Sequence, residues 1–248
     1  MTPRDWEATT YDRVSAPMAT LGVAVLDRLD LRGDETVLDA GCGSGRVTEV
    51  LADRLPDGRV LAVDGSPAMV DEARARLGDR AEVWVADAAR LEVPEPVDAI
   101  LSTATFHWIP DHERLFAALH RALRPGGRLV AQCGGRGQIA PVLAVLAELA
   151  AGPPYAPYLQ SFDPWNFAGP EETEARLRAA GFREARCWLE VHPLVSDDPE
   201  GFLRSTILGA HLERLPEELR PALVHDVAAR FGTPLELDYV RLNLDAVA

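Results

Sequence analysis

The chain has 248 residues, 25 basic and 39 acidic, for a formal net charge of −14, and every basic residue is arginine. Without a lysine it cannot be a Schiff-base enzyme, a Walker-A phosphate binder or a Tyr-x-x-x-Lys reductase, each of which requires an ammonium group. The acid excess is even, with seven more acids than arginines in residues 1–135 and again in 136–248, so no basic face exists to displace counterions from nucleic acid or to meet an anionic membrane.

An amphipathic helix is expected over 11–29, where Val14, Met18, Leu21, Val25 and Leu29 recur at helical spacing. Then come a strand at 36–40, a helix at 44–55, a strand at 59–64, a helix at 67–77 and strands at 82–86 and 97–103. A helix at 111–123 and a strand at 128–133 complete the regular part. Short apolar strands alternating with helices imply right-handed crossovers and a parallel sheet covered on both faces, a doubly wound α/β fold. Beyond Cys133 the pattern loosens. Helices are expected near 138–150, 170–180 and 197–231, strands at 185–192 and 235–246, and a Pro- and aromatic-rich loop between 152 and 167.

With 47% apolar residues, the length allows one domain spanning 1–248, with the 11–29 helix and insertions near 150–170 and 197–231 as a helical lid over an acceptor. The N-terminal residues contain no apolar h-region and the longest apolar stretch, 139–149, is too short to span a bilayer, so the expected location is cytoplasmic. Cys42, Cys133 and Cys187 form no metal pattern and cannot all pair. No acidic trio or histidine spacing suggests a metal, and the protein is expected to act as a monomer or homodimer.

The strongest signal is Asp39-Ala-Gly-Cys-Gly-Ser-Gly45, a strand entering a glycine turn that opens a helix. Gly41, Gly43 and Gly45 let the backbone approach a ligand closely. The dinucleotide fingerprint would need glycine at 46, where Arg46 stands. A carboxylate at the loop, Asp39, would repel a pyrophosphate but attract an ammonium or sulfonium; it could equally brace the loop. Asp64, ending the second strand, can accept from both hydroxyls of a ribose, and Ser66 is the better N-cap for the following helix. Asp87 after the third strand could meet an adenine amino group, and Met69 could pack on the purine or fill the core.

Asp39-Ala-Gly-Cys-Gly-Ser-Gly45, Asp64-Gly-Ser-Pro-Ala-Met69, Ala86-Asp-Ala88 and Leu123-Arg-Pro-Gly-Gly-Arg128 resemble, in order and spacing, the motifs of class I S-adenosylmethionine-dependent methyltransferases. The resemblance covers about residues 10–135. It implies a mostly parallel seven-stranded sheet with the last strand antiparallel, and S-adenosyl-L-methionine as cofactor, leaving S-adenosyl-L-homocysteine. It also implies that Asp39 and the glycines hold the methionine moiety, Asp64 the ribose and Asp87 the adenine; Gly65, Met69, Ala88 and Thr103 are expected to bind the same cofactor.

The acceptor side should begin at the end of the fourth strand, in Ser102-Thr-Ala-Thr-Phe-His-Trp-Ile-Pro-Asp111. The Phe106-His-Trp-Ile-Pro-Asp111 segment, with Asp5-Trp6 and Tyr11-Asp-Arg13, is similar to the trans-aconitate methyltransferase branch, which methylates small carboxylates. His107 stands where that branch has glutamine, so it is either a general base or a hydrogen-bonded wall residue. Tyr11, Trp165 and Phe167 could shield the sulfonium or grip the acceptor, or simply pack; Phe106 is expected on the substrate side, and Trp108 to line the pocket or sit in the core. The expected reaction is methyl transfer to a small molecule at oxygen, with a carboxylate as one candidate acceptor. The alternatives are N- or C-methylation with His107 as base, and a regulatory module that binds the cofactor without transfer. An acidic substrate would be held by arginine or by backbone amides, with Arg13, Arg136 and Arg241 as candidates by position.

Overall fold

The structure, a computed structural model, describes residues 16–248. Tyr11, Arg13, Asp5, Trp6 and the first part of the expected 11–29 helix lie outside the described residues. Helix α1 (Ala16–Leu26) leads into β1 (Thr36–Ala40), α2 (Arg46–Asp53), β2 (Arg59–Asp64), α3 (Pro67–Leu77), β3 (Glu82–Val85) and β4 (Val97–Thr103). Then follow α4 (His112–Ala122), β5 (Leu123–Gly134), α5 (Ala140–Ala150), α6 (Pro170–Ala179), β6 (Glu184–Ser196), α7 (Arg220–Ala228) and β7 (Leu235–Val247).

The strands form one seven-stranded sheet in the order β3-β2-β1-β4-β5-β7-β6. β1 pairs in parallel with β2 (Leu38 beside Leu61) and with β4 (Leu38 beside Ile100). Alternation then divides the central side chains. Leu38 and Ile100 join Phe116 and Leu119 on one face, while Val37, Ala99 and Leu101 join Val25, Leu29 and Leu51 on the other. Burial on both faces is why these strands read as continuous apolar runs. The last strand reverses direction: Gly126 donates to Ala248 O and Ala248 donates to Gly127 O at the start of β5, whereas Gly135, past its end, lies against Leu242. From β1 the chain builds outward to β3, then crosses to β4 on the opposite side, so strand order reverses between β1 and β4. A crevice outside the carboxyl ends of these two strands follows from that reversal.

Two of the boundary differences from expectation have clear local reasons. α2 starts at Arg46 rather than Ser44 because Gly45, at φ +82, has the left-handed backbone that no helix interior accepts. β5 starts at Leu123, five residues early, because Leu123 pairs with Val97 and Arg128 with Ala99, so Arg124–Gly127 bulges out of the ladder.

The chain divides into two compact units. The first runs through Arg136 and includes Asn166–Leu189 and Leu242–Ala248; the second comprises Gly137–Trp165 and Glu190–Arg241. Within the second, Tyr155 Oη donates to Asp226 Oδ2 at 2.6 Å and Arg230 makes a two-pronged ion pair with Glu148. Residues 199–214 form short helical pieces joined by a π turn at 203–207, not a continuous helix. Among the described residues no helix is long and apolar enough to cross a membrane.

Candidate active site

Asp39 is the fourth residue of β1, and its side chain is 1% exposed. Oδ2 accepts from Thr48 Oγ1 at 2.7 Å, whereas Oδ1 has no hydrogen-bond partner among the described residues. The sequence suggested a carboxylate at the loop mouth or a brace beneath it. The structure shows a buried carboxylate with one oxygen braced by α2 and the other unmet. Burial pushes the Asp39 carboxyl up to about 7, opposed by the Thr48 bond and aided by the neighbouring charge of Asp64.

Asp64 ends β2 and ties the glycine loop down. Oδ2 accepts from Gly43 N–H and Oδ1 from Ser66 N–H, both at 2.9 Å. Its carboxyl is also raised by burial, opposed by the backbone amides of Ser66, Gly43 and Gly65. Ser66 Oγ takes the Met69 N–H, confirming Ser66 as the N-cap of α3. The Met69 side chain is buried.

Asp87 follows β3 and caps a short turn through Oδ1 and Ala89 N–H at 2.9 Å, with Oδ2 3.8 Å from Arg90. Each oxygen keeps capacity for a further donor. Ala88 beside it is buried.

A residue outside the sequence expectation completes the loop. Thr105 Oγ1 lies 3.0 Å from Thr103 O and 3.2 Å from Gly41 O, bridging the ends of β4 and β1. Gly41 sits at φ +90, where an added Cβ would be 2.6 Å from Thr105 Cβ. Nothing in the sequence spacing marks Thr105, because its partner is 64 residues away. An added Cβ at Gly43, by contrast, would meet no atom within 4 Å. Among the described residues the loop is therefore packed on one side and open on the other.

The segment after β4 divides its residues between two tasks. Phe106, expected to touch substrate, is 1% exposed and packs edge-to-face on Phe116, 5.9 Å between centroids. It belongs to the core, because one side of the 106–108 turn must cover α4. His107 is held in place. Its Nδ1 accepts from Gly134 N–H at 3.2 Å, its carbonyl accepts from Asn166 N–H, and its ring stacks on Phe167 at 5.7 Å and lies 5.3 Å from Trp108. His112 fixes the same turn through Nε2 and Phe106 O at 3.0 Å.

Trp165 belongs to the second unit, where its ring tilts against His211 at 5.3 Å. Arg136, a candidate anion holder, is instead paired with Glu172 at 3.0 Å. Arg241 is buried. Cys42, Cys133 and Cys187 are buried and form no disulfide among the described residues. Among the described residues no three His, Cys, Asp or Glu side chains gather to hold a metal ion.

A family model described as a methyltransferase domain matches residues 37–127, the span that carries all these acids and the glycine loop. The trans-aconitate 2-methyltransferase of Methylobacterium nodulans is 33% identical over 185 residues, covering 75% of this chain and 67% of that protein. The chain belongs to the class I S-adenosylmethionine-dependent methyltransferases. The Escherichia coli K12 trans-aconitate 2-methyltransferase is 38% identical over 128 residues, about half of each chain. Among solved structures, the YcgJ protein of Bacillus subtilis superposes with a TM-score of 0.63 at 18% identity over 92% of this chain and 97% of that one. A Haemonchus contortus phosphoethanolamine N-methyltransferase 2 in complex with S-adenosyl-L-methionine superposes at 0.60 with 19% identity, over 97% of this chain and 56% of that one. At these identities the structures show the shared fold.

This methyltransferase presents a donor set that fits S-adenosylmethionine: the unmet buried oxygen of Asp39, the open side of the loop at Gly43 and the carboxylate of Asp64. When bound, that cofactor supplies an activated methyl group on a sulfonium. A cofactor cation meeting Asp39 would make the fit pH-dependent. A cationic ligand favours the ionised carboxyl, so binding near neutral pH expels the proton that burial retains. With the free-protein value at about 7, affinity should rise about tenfold from pH 6 to pH 8. The folded value lies above the ordinary 3.8, so the stability from protonated Asp39 is full below about pH 4 and is lost as pH rises through about 7. Calorimetry in buffers of different ionisation heat should detect the released proton, and Asp39→Asn should flatten the dependence. A pH-independent affinity in the wild type contradicts this role.

Proposed function

We propose that this methyltransferase moves the methyl group of S-adenosylmethionine to a carboxylate oxygen of a small organic acid, leaving S-adenosylhomocysteine and a methyl ester. The observation that carries the proposal is the Gly134 N–H bond to His107 Nδ1. A neutral imidazole whose Nδ1 accepts carries its proton on Nε2, which makes the ring a donor rather than a base. A carboxylate acceptor requires no base, because it is already a nucleophile and methyl transfer from a sulfonium needs alignment more than proton removal. A phenol or an amine needs a base. The names of the trans-aconitate relatives support the same acceptor class, and nothing in the site favours N- or C-methylation or a silent binding module.

In this reading Asp39 and the glycine loop receive the methionine end of the cofactor and Asp64 receives the ribose hydroxyls. Asp87 receives the adenine amino group, with Met69 and Ala88 beside the purine. His107 Nε2–H and Trp108 line the acceptor.

His107→Gln keeps an N–H donor and abolishes any base. It should retain transfer to within about tenfold, with an unchanged pH profile of kcat, whereas loss of a general base costs about 10²–10⁴-fold. A loss of that size, with the alkaline or acidic limb of the profile removed, would instead favour a phenol or amine acceptor.

A further inference from the structure

The turn at 106–108 carries Phe106, which packs in the core, and His107, which in the reading above lines the acceptor. Two bonds close it on itself, Trp108 N–H to Thr105 O and Ile109 N–H to Phe106 O, each at 2.9 Å. Neither ties it to the rest of the first unit. Asn166 does so on one side, donating its backbone N–H to His107 O at 2.8 Å and its side-chain amide to Pro110 O at 3.0 Å. From α4, His112 places Nε2 3.0 Å from Phe106 O, which gives that carbonyl a second donor on its remaining lone pair.

Histidine is not what packing alone would select at 112. The side chain is 3% exposed, its ring tilts against Phe116 with 5.5 Å between centroids, and Nδ1 has no hydrogen-bond partner among the described residues. A buried, unmet ring nitrogen lowers stability, which a leucine in the same space would not do. What the histidine adds is a donor of fixed form. A carbonyl only accepts, so the proton sits on Nε2 and Nδ1 stays bare. Burial holds the ring below its ordinary value, opposed by the Phe106 carbonyl, Glu172 and Asp111 and aided by Arg176 of α6, so the fold keeps the neutral donor.

The carbonyl that His112 holds belongs to the peptide leading into His107. The plane of that peptide sets where the His107 side chain leaves the backbone. The bond from Gly134 N–H to His107 Nδ1, at 3.2 Å, is already at the long end of the usual range and is lost if that plane tilts.

We propose that His112 is a positioning residue: by holding the Phe106–His107 peptide it keeps His107 Nδ1 against Gly134 N–H and so keeps the His107 proton on Nε2. This rests on the reading in which His107 Nε2–H lines the acceptor, and adds the side chain that sets that donor.

The test is nitrogen NMR of the full-length protein with isotope-labelled histidine, the His107 ring signals being identified by their loss in His107→Gln. In the wild type one nitrogen of His107 should appear bare and the other protonated. His112→Leu removes the donor together with the unmet nitrogen. It should melt close to the wild type and bind S-adenosylhomocysteine unchanged, yet the two His107 signals should move toward each other as the ring exchanges tautomers. His112→Gln keeps an N–H donor of similar reach and should restore the wild-type signals. With trans-aconitate and S-adenosylmethionine, kcat should fall about three- to tenfold in His112→Leu. The loss should be smaller when the change is added to His107→Gln, because one residue acts through the other.

Unmoved His107 signals in a folded His112→Leu protein overturn the proposal, and a drop in melting temperature alone would mark a purely structural residue. A glutamine variant that behaves like the leucine one overturns it, as do equal losses of kcat in the two backgrounds. If His112→Leu fails to fold, His112→Met, which also lacks the donor, is read by the same signals. A wild type that methylates no carboxylic acid overturns the proposed function, and the ring signals then decide this proposal alone.

Discussion

Asp64→Ala should lower affinity for S-adenosylmethionine by at least about 100-fold. The carboxylate accepts from Gly43 N–H and Ser66 N–H, each at 2.9 Å, and in the proposed complex also from the ribose hydroxyls. Two charge-assisted bonds to the ligand at about 1.5 kcal/mol each already give about 3 kcal/mol, or roughly 150-fold. Release of the Gly43 amide adds to this by loosening the loop. Asp64→Asn, nearly the same in shape, should lose less stability and still bind weakly, because its NH2 group cannot accept from an amide. Calorimetry with S-adenosylhomocysteine measures both variants, and unchanged affinity in a folded Asp64→Ala protein removes the ribose assignment.

Gly41→Ala should be the most disruptive single-methyl change in the site. At φ +90 an L-residue is strained by about 1–2 kcal/mol. The new Cβ would also intrude on Oγ1, Cγ2 and Cβ of Thr105, and overpacking of this kind typically costs about 1–3 kcal/mol more. Displacing Thr105 would break its bonds to Gly41 O and Thr103 O, so the joint between β1 and β4 opens. We expect a marked fall in melting temperature and loss of cofactor binding. Adding Thr105→Ala should recover part of the stability, since it removes two of the three clashing atoms. A Gly41→Ala protein with wild-type stability would contradict the packed side of the loop.

The glycine loop and the acids around it were legible in the sequence because they are local. Strand, glycine turn and helix follow one another within β1 to α3, and an acid stands near the carboxyl end of each strand. The layout of the segment after β4 was not. Phe106 and His107 are neighbours in a turn of three residues, too short for any periodicity to show that one faces the core and the other lies under Gly134. The brace from Thr48 to Asp39 could be foreseen only in outline, and the degree of burial that leaves Oδ1 unmet depends on packing from both sheet faces. Arg136 was an anion-holding candidate in the sequence until Glu172, from a segment 36 residues on, occupied it. The second unit is assembled from two stretches separated by 24 residues of the first, which no local pattern announces.

The most direct test of carboxylate methylation follows the label. The wild-type protein is incubated with methyl-labelled S-adenosylmethionine and separate panels of small acids, phenols and amines, and each labelled product is then treated with mild hydroxide. Methyl esters hydrolyse and release labelled methanol, whereas aryl methyl ethers and N-methyl amines retain the label. Base-labile label appearing with the acids, at a higher rate than with the other panels, is the predicted result. Label that appears only in base-stable products, or in none of the panels, would contradict it.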